Sequence, residues 1–368
     1  MRPLAHRAAK TEASGIRKVF DLAASLRNPV DLSIGQPHFD VPDPLKERAS
    51  EAIRNGKNAY TPTQGGAELR AALKAGPLAG YGDKEILVTS AVSGGLLLAF
   101  MALFDPGDEV LVPDPYFVMY KQLAVMFDAK PVFYDTYPGW KLDVDRIESL
   151  VTPRTKAIII CSPANPTGAV YTRRELEDVA ALIRRKDLIA ISDETYETYC
   201  YDAPFVSLRE LCRDHSLVLG GFSKSHAMTG WRVGWAAGPE ELVQAMTKFQ
   251  QFSFVCAPAP FQAAAVHALA HDMSEMMDEY RRKRDLLHGG LVDAGYEAVK
   301  PSGSFYVFPR APWGTGGEFV ETCIRNNLLV IPGNCFSERD THFRIVFAAR
   351  EETIIEGLAI LRRLAKKP

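Results

Sequence analysis

Seven short apolar runs, Ile86 to Thr89, Glu109 to Val112, Pro131 to Tyr134, Ala157 to Cys161, Leu188 to Ser192, Leu217 to Gly220 and Val233 to Ala237, recur along the chain with helix-compatible stretches between them. Gly66 to Lys74, Tyr116 to Phe127 and Arg173 to Arg185 are such stretches. This alternation predicts an α/β domain with a largely parallel sheet. Punctuation agrees: Pro44 stands in the first turn expected for a helix over Leu45 to Arg54, and Gly56 follows its end. Beyond about Gln262 the rhythm changes to a long charged helix, Met273 to Ala294, and short runs at Ser304 to Phe308, Leu328 to Ile331 and Phe343 to Phe347. A smaller α+β domain is expected there. The length of 368 residues exceeds what one core usually serves. The expected division is an arm and part of the small domain over 1–40, a large domain over 41–270, and a C-terminal small domain over 271–368.

Composition narrows the function classes. With 47% hydrophobic and 24% charged residues and a net charge of -2, the chain reads as a soluble enzyme with no reason to bind nucleic acid. The 6 cysteines form no C-x-x-C pair, which fits reduced thiols in a cytoplasm and gives no zinc site or other metal site. Met1 to Ser14 is polar and basic without the apolar stretch of an export signal. Ile86 to Phe104 carries no charge and is about long enough to cross a bilayer. The small and polar residues Ser90 to Gly95 interrupt it, so the expectation is a strand end followed by a buried helix over Leu96 to Phe104, not a membrane span. The mixed charges of Asp278 to Arg284 read as a solvated helix face.

Chemistry concentrates between Ser223 and Gly234, which reads Ser-Lys-Ser-His-Ala-Met-Thr-Gly-Trp-Arg-Val-Gly. A lone lysine beside an apolar run usually keeps its ammonium in water. Here Ser223 and Arg232 offer a hydroxyl and a planar cationic fork suited to a phosphate dianion, and Lys224 is an amine nucleophile for a carbonyl. Together they point to pyridoxal 5'-phosphate. Other segments supply what that cofactor needs. Asn165, in Ser162-Pro163-Ala164-Asn165-Pro166-Thr167-Gly168, follows an apolar run, where open α/β sheets place ligands, and can donate to a phenolic oxygen. Asp193 follows another run and is the carboxylate for the pyridine nitrogen, with Tyr196 three residues on. Glu194, pointing elsewhere, reads as a structural pair or surface group. Thr89 to Gly95 forms a strand-to-helix junction whose free N–H groups and Ser93 suit a phosphate. Tyr60 to Gly65 reads as a polar turn.

Taken together, Ser-Lys-x5-Gly-x-Arg, Asn-Pro-Thr-Gly and Asp-x-x-Tyr resemble the fold type I, class I/II aminotransferases of the aspartate aminotransferase superfamily, over about Leu32 to Phe347. The resemblance implies a seven-stranded, mostly parallel sheet in the large domain. It implies that Lys224 forms the aldimine with pyridoxal phosphate and carries the α-proton. Asp193 would hold the ring nitrogen, and Asn165 and Tyr196 the phenolic oxygen. Ser223, Arg232, Val92 and Ser93 would hold the phosphate, and Phe117 would stack on the ring. Arg344 and Gly35 would take the substrate carboxylate, together with Asn165. Tyr60 matches a tyrosine that reaches the neighbouring subunit's phosphate, implying a homodimer. The implied activity moves an amino group from an L-amino acid to a 2-oxo acid by a ping-pong mechanism.

Two departures bear on this. Ala91 stands where many relatives place glycine, and Ser93 stands where some aspartate-specific relatives carry a lysine for the distal carboxylate. The second, with Phe252, Phe254 and Phe261 in a stretch that in relatives approaches the neighbouring site, favours neutral or aromatic substrates; the alternative for these phenylalanines is interface core. A β-lyase acting on C–S bonds could use the same scaffold, because the same residues stabilise the same carbanion. A ligand-binding regulator fits less well, since only 34 residues precede Gly35.

Overall fold

In the computed structural model, residues 4–12, 15 and 26–366 are described. Of the arm expected over 1–40, residues 1–3, 13–14 and 16–25 therefore lie outside the described residues, as does part of Met1 to Ser14.

Twelve strands are described: β1 (Val30–Asp31), β2 (Ile86–Thr89), β3 (Glu109–Asp114), β4 (Lys130–Asp135), β5 (Thr155–Cys161), β6 (Ile189–Asp193), β7 (Ser216–Gly221), β8 (Gly234–Ala237), β9 (Tyr306–Val307), β10 (Leu328–Leu329), β11 (Ile331–Pro332) and β12 (Phe343–Val346). Seven form one sheet in the order β2-β8-β7-β6-β5-β3-β4. The ladders from β4 through β7 are parallel, and β8 runs antiparallel to both its neighbours. Each of the seven apolar runs is one of these strands. The sheet is deeply buried because helices pack against it, which is why Ile158, Ile159 and Ile160 of β5 can be continuously apolar.

Helix Arg173–Arg185 shows how the sequence sets its boundaries. Thr172 accepts a hydrogen bond from the Glu175 amide while the Glu175 side chain accepts from the Thr172 amide. Its face of Leu176, Val179, Ala180, Leu182 and Ile183 is buried. Helix Ala91–Leu103 begins five residues earlier than the break at Ser90 to Gly95 led us to expect. Small residues there do not end the helix but let it approach the sheet. A Cβ on Gly95 would lie 3.0 Å from the Leu219 side chain on β7. No helix among the described residues is long and apolar enough to cross a membrane.

Outside the large sheet, β9, β12 and β11 form a three-stranded antiparallel sheet with β12 central, and β1 pairs in parallel with β10. The Val346 amide donates to the Leu32 carbonyl, so the segment leading to Gly35 is anchored on the C-terminal part of the chain. Long helix Ser274–Asp293 packs beside helix Glu351–Leu364.

Candidate active site

The carboxyl ends of β5, β6 and β7 open on one side of the sheet, and the segments leaving them carry Asn165, Asp193 and Lys224. A cavity of about 300 Å³ lies there, with Gly35, Val92, Ser93, Phe117, Asn165, Asp193, Tyr196, Ser223, Lys224, Arg232 and Arg344 in its wall. Only Tyr60, among the expected site residues, is absent from this wall, and its side chain is 83% exposed.

Lys224 sits in the short helix Phe222–Ser225, directly beyond β7. Its Nζ donates to the Gly35 carbonyl at 2.7 Å. Burial first, then the cations Arg344 and Arg232, lower its pKa to about 8 against the opposing effect of Asp193. An amine with that pKa is partly neutral near neutral pH, as nucleophilic attack requires.

Asp193 is the last residue of β6 and is held at both carboxylate oxygens. Oδ1 accepts from the Thr195 hydroxyl at 2.7 Å and from the Thr195 amide at 3.2 Å, and Oδ2 accepts from the buried Tyr120 hydroxyl at 2.6 Å. Each oxygen keeps acceptor capacity for a further N–H. The neighbouring Glu194 is buried, not on the surface. It accepts from Ser192, Ser207 and Arg209, and burial pushes its carboxyl up to about 7. Of the two expectations for Glu194, structural pairing is the one observed.

Arg344 projects from the central strand β12 and is only 2% exposed. Its guanidinium donates through Nη1 to Asn165 Oδ1 at 3.1 Å and through Nη2 to the Ser33 carbonyl at 2.9 Å. It also lies over the rings of Phe336 and Tyr306, at 4.5 and 4.7 Å. Arg344 Nε is buried with no partner. Because Asn165 Oδ1 is taken by Arg344, the amide NH2 is the end of Asn165 left to donate.

At the other end of the cavity, Arg232 donates through Nη2 to Ser93 Oγ at 2.7 Å and through Nη1 to the Thr229 carbonyl at 2.9 Å. Ser223 Oγ is buried without a partner. The start of helix Ala91–Leu103 faces the same place with the amides of Val92 and Ser93. Ala91 has φ +56° and Arg232 also φ +56°, left-handed conformations that cost a non-glycine residue energy. A hydroxyl, a guanidinium and a helix N-terminus converging on one spot form an anion site.

Comparison with known proteins decides the lineage. Residues 27–360 match the family "Aminotransferase class I and II". The chain is 35% identical to a probable N-acetyl-LL-diaminopimelate aminotransferase of Bacillus subtilis, covering 96% of this chain and 93% of that protein. It is 36% identical to aromatic-amino-acid aminotransferase 2 of Thermococcus litoralis, with 99% and 98% covered. Among solved structures, aspartate aminotransferase from Thermus thermophilus with maleate superposes with a TM-score of 0.95 at 36% identity, covering 99% of this chain and 100% of that one.

The chain belongs to the class I and II aminotransferase family. It is a fold type I, pyridoxal phosphate-dependent aminotransferase. The residues present fit this cofactor: partnerless Ser223 Oγ with Arg232 suits its phosphate, the doubly anchored Asp193 its ring nitrogen, and the depressed Lys224 its carbonyl.

Several wall residues of this aminotransferase site escaped the sequence reading: Ser33, Tyr120, Cys161, Thr195, Thr229 and Tyr306. Tyr120 lies three residues after Phe117, in the first turn of the helix Val118–Met126 that Phe117 precedes, and the two rings meet at 5.6 Å. Nothing local to Tyr306 marked it. Phe261 stacks on Trp231 at 4.8 Å, and Phe252 is 86% exposed.

Proposed function

We propose that this aminotransferase acts on neutral or aromatic L-amino acids in preference to aspartate, with a 2-oxo acid as acceptor, in two half-reactions. The observation that carries the substrate reading is the disposition of cations in the cavity. Among the described residues, Lys224, Arg232 and Arg344 are the cations of its wall; Arg232 is engaged by Ser93 and Thr229, and Arg344 by Asn165 and Ser33. A distal carboxylate would find no further cation among the described residues of that wall, while Ile34 and Phe117 offer apolar surface.

When bound, the cofactor supplies the carbonyl for the amine and the electron sink for the substrate carbanion. Asp193 would hold the ring nitrogen protonated, and Asn165 and Tyr196 would donate to the phenolic oxygen. Ser223, Arg232 and the Val92 and Ser93 amides would fix the phosphate. Arg344 would grip the α-carboxylate beside the Gly35 backbone. As a free amine in the same wall, Lys224 would move the proton from the α-carbon.

The same proposal extends to assembly and setting. The exposed aromatic side chains of Tyr60, Phe252 and Phe254 are available to a homodimer in which Tyr60 would reach the partner's phosphate site. Among the described residues no two cysteines form a disulfide, in keeping with a cytoplasmic enzyme. The division into 1–40, 41–270 and 271–368 is part of the same reading; in its favour, the strands of the seven-stranded sheet all fall within 86–237, and those of the two smaller sheets within 30–31 and 306–346.

The test is a set of single-donor half-reactions. Cofactor-loaded protein is mixed with phenylalanine, methionine, alanine or aspartate, without keto acid, and the visible band is followed together with keto acid release. Phenylalanine or methionine should convert the band with stoichiometric keto acid, and Lys224→Ala should abolish conversion. A large preference for aspartate would sink the substrate reading, and near-normal turnover in Lys224→Ala would sink the assignment of the lysine.

A further inference from the structure

Tyr306 lies where four parts of the site meet. It begins β9, is 1% exposed, and its hydroxyl is 2.6 Å from that of Tyr196. Its ring lies under the Arg344 guanidinium. Gly35 passes so close that a Cβ there would stand 2.6 Å from the Tyr306 hydroxyl, and the carbonyl of the same glycine receives the Lys224 amine.

Either hydroxyl of the Tyr196–Tyr306 pair can donate to the other. With Tyr196 spending its proton on the cofactor's phenolic oxygen, as proposed above, its oxygen is left to accept. Among the described residues the Tyr306 hydroxyl has Tyr196 as its one partner, and a buried O–H without an acceptor is costly, so Tyr306 is then the donor. Tyr196 then keeps its own proton free to point into the cavity. An oxygen that accepts one hydrogen bond becomes a stronger donor through its own O–H.

We infer that Tyr306 is a positioning residue that orients the Tyr196 hydroxyl and strengthens its donation to the cofactor's phenolic oxygen, while its ring seats Arg344 for the substrate carboxylate. This rests on the proposed role of Tyr196. Its two functions are separable, because phenylalanine retains the ring under Arg344 and removes only the hydroxyl. Stronger donation to the phenolic oxygen stabilises the form in which the cofactor's imine nitrogen is unprotonated. Weakening it raises the pH at which the visible band changes. The charged groups facing the tyrosine pair are Arg344 from β12, Asp193 from β6 and Lys224 beyond β7. Tyr306→Phe leaves all of them in place.

The experiment is a spectroscopic pH titration of the cofactor-loaded protein as wild type, Tyr306→Phe, Tyr196→Phe and the double variant. Binding of 3-phenylpropionate, a carboxylate without an amine, is measured on each. Tyr196→Phe should raise the midpoint by about one pH unit and Tyr306→Phe by roughly half of that, as expected for weakening rather than losing one hydrogen bond. The double variant should match Tyr196→Phe alone, because Tyr306 acts through Tyr196. Affinity of Tyr306→Phe for 3-phenylpropionate should stay within about threefold of wild type, since its ring is intact. A shift in Tyr196→Phe with none in Tyr306→Phe overturns the inference and leaves the Tyr196 role standing. Additive shifts in the double variant overturn it as well. No shift in either single variant overturns the role of Tyr196 and the inference together.

Discussion

Replacing Arg344 by glutamine removes a guanidinium that is almost wholly buried and already fixed by Asn165 and Ser33. Its rigidity is the reason to expect a large effect: the fork is pre-organised between the rings of Phe336 and Tyr306, so little side-chain entropy is lost when a carboxylate arrives. Two charge-assisted hydrogen bonds at about 1.5–2 kcal/mol each sum to about 3–4 kcal/mol, a loss of roughly 10²- to 10³-fold in kcat/KM. The loss should fall on substrates with an α-carboxylate. In a comparison of phenylalanine with phenethylamine, wild type should strongly prefer the amino acid and Arg344→Gln should lose most of that preference. A second consequence is independent of substrate. After burial, Arg344 is the largest cause of the lowered Lys224 pKa, so that pKa should rise in the variant. Steady-state kinetics on both donors, with the cofactor band confirming occupancy, provide the assay. A variant that keeps kcat/KM within tenfold of wild type and still discriminates against the amine would refute the carboxylate role of Arg344.

Two further expectations follow from the same geometry. With its pKa near 8, Lys224 in cofactor-free protein should capture pyridoxal phosphate at a rate that rises with pH and levels above about 8, because lowering a lysine pKa favours the neutral amine above that value. At pH 7 about a tenth of the amine is then neutral, against well under a thousandth for an ordinary lysine. Stopped-flow capture rates that keep climbing towards pH 10 would contradict this. Ala91→Gly should stabilise the protein by about 0.5–1 kcal/mol in urea unfolding, since φ +56° strains alanine and not glycine. A destabilised variant would show that the turn is not under that strain.

Legibility in the sequence followed the range of each signal. Strands such as Ala157 to Cys161 carry their own evidence, an apolar run ended by a Pro-Gly loop, and the structure extends it only to Thr155. The chain order of Lys224, Asp193 and Asn165 was readable for a related reason. Each leaves the same end of a parallel strand, so topology alone brings them to one side. Helix Ala91–Leu103 was misjudged at its start because Gly94 and Gly95 resemble a break when read locally. Gly95 serves a close approach to Leu219 on the sheet, which no local pattern records. Tyr306 is the extreme of this class. It is 110 residues from Tyr196, and its strand of two residues has no periodicity. Its position is fixed by tertiary pairing, Val346 of β12 opposite Tyr306 and Ile345 opposite Val307. That pairing puts Arg344 and Tyr306 on adjacent strands and turns two unremarkable runs, Ser304 to Phe308 and Phe343 to Phe347, into one wall. The ends of strands in a parallel sheet announce their chemistry one at a time. A wall built by antiparallel pairing announces it only once both strands are in register.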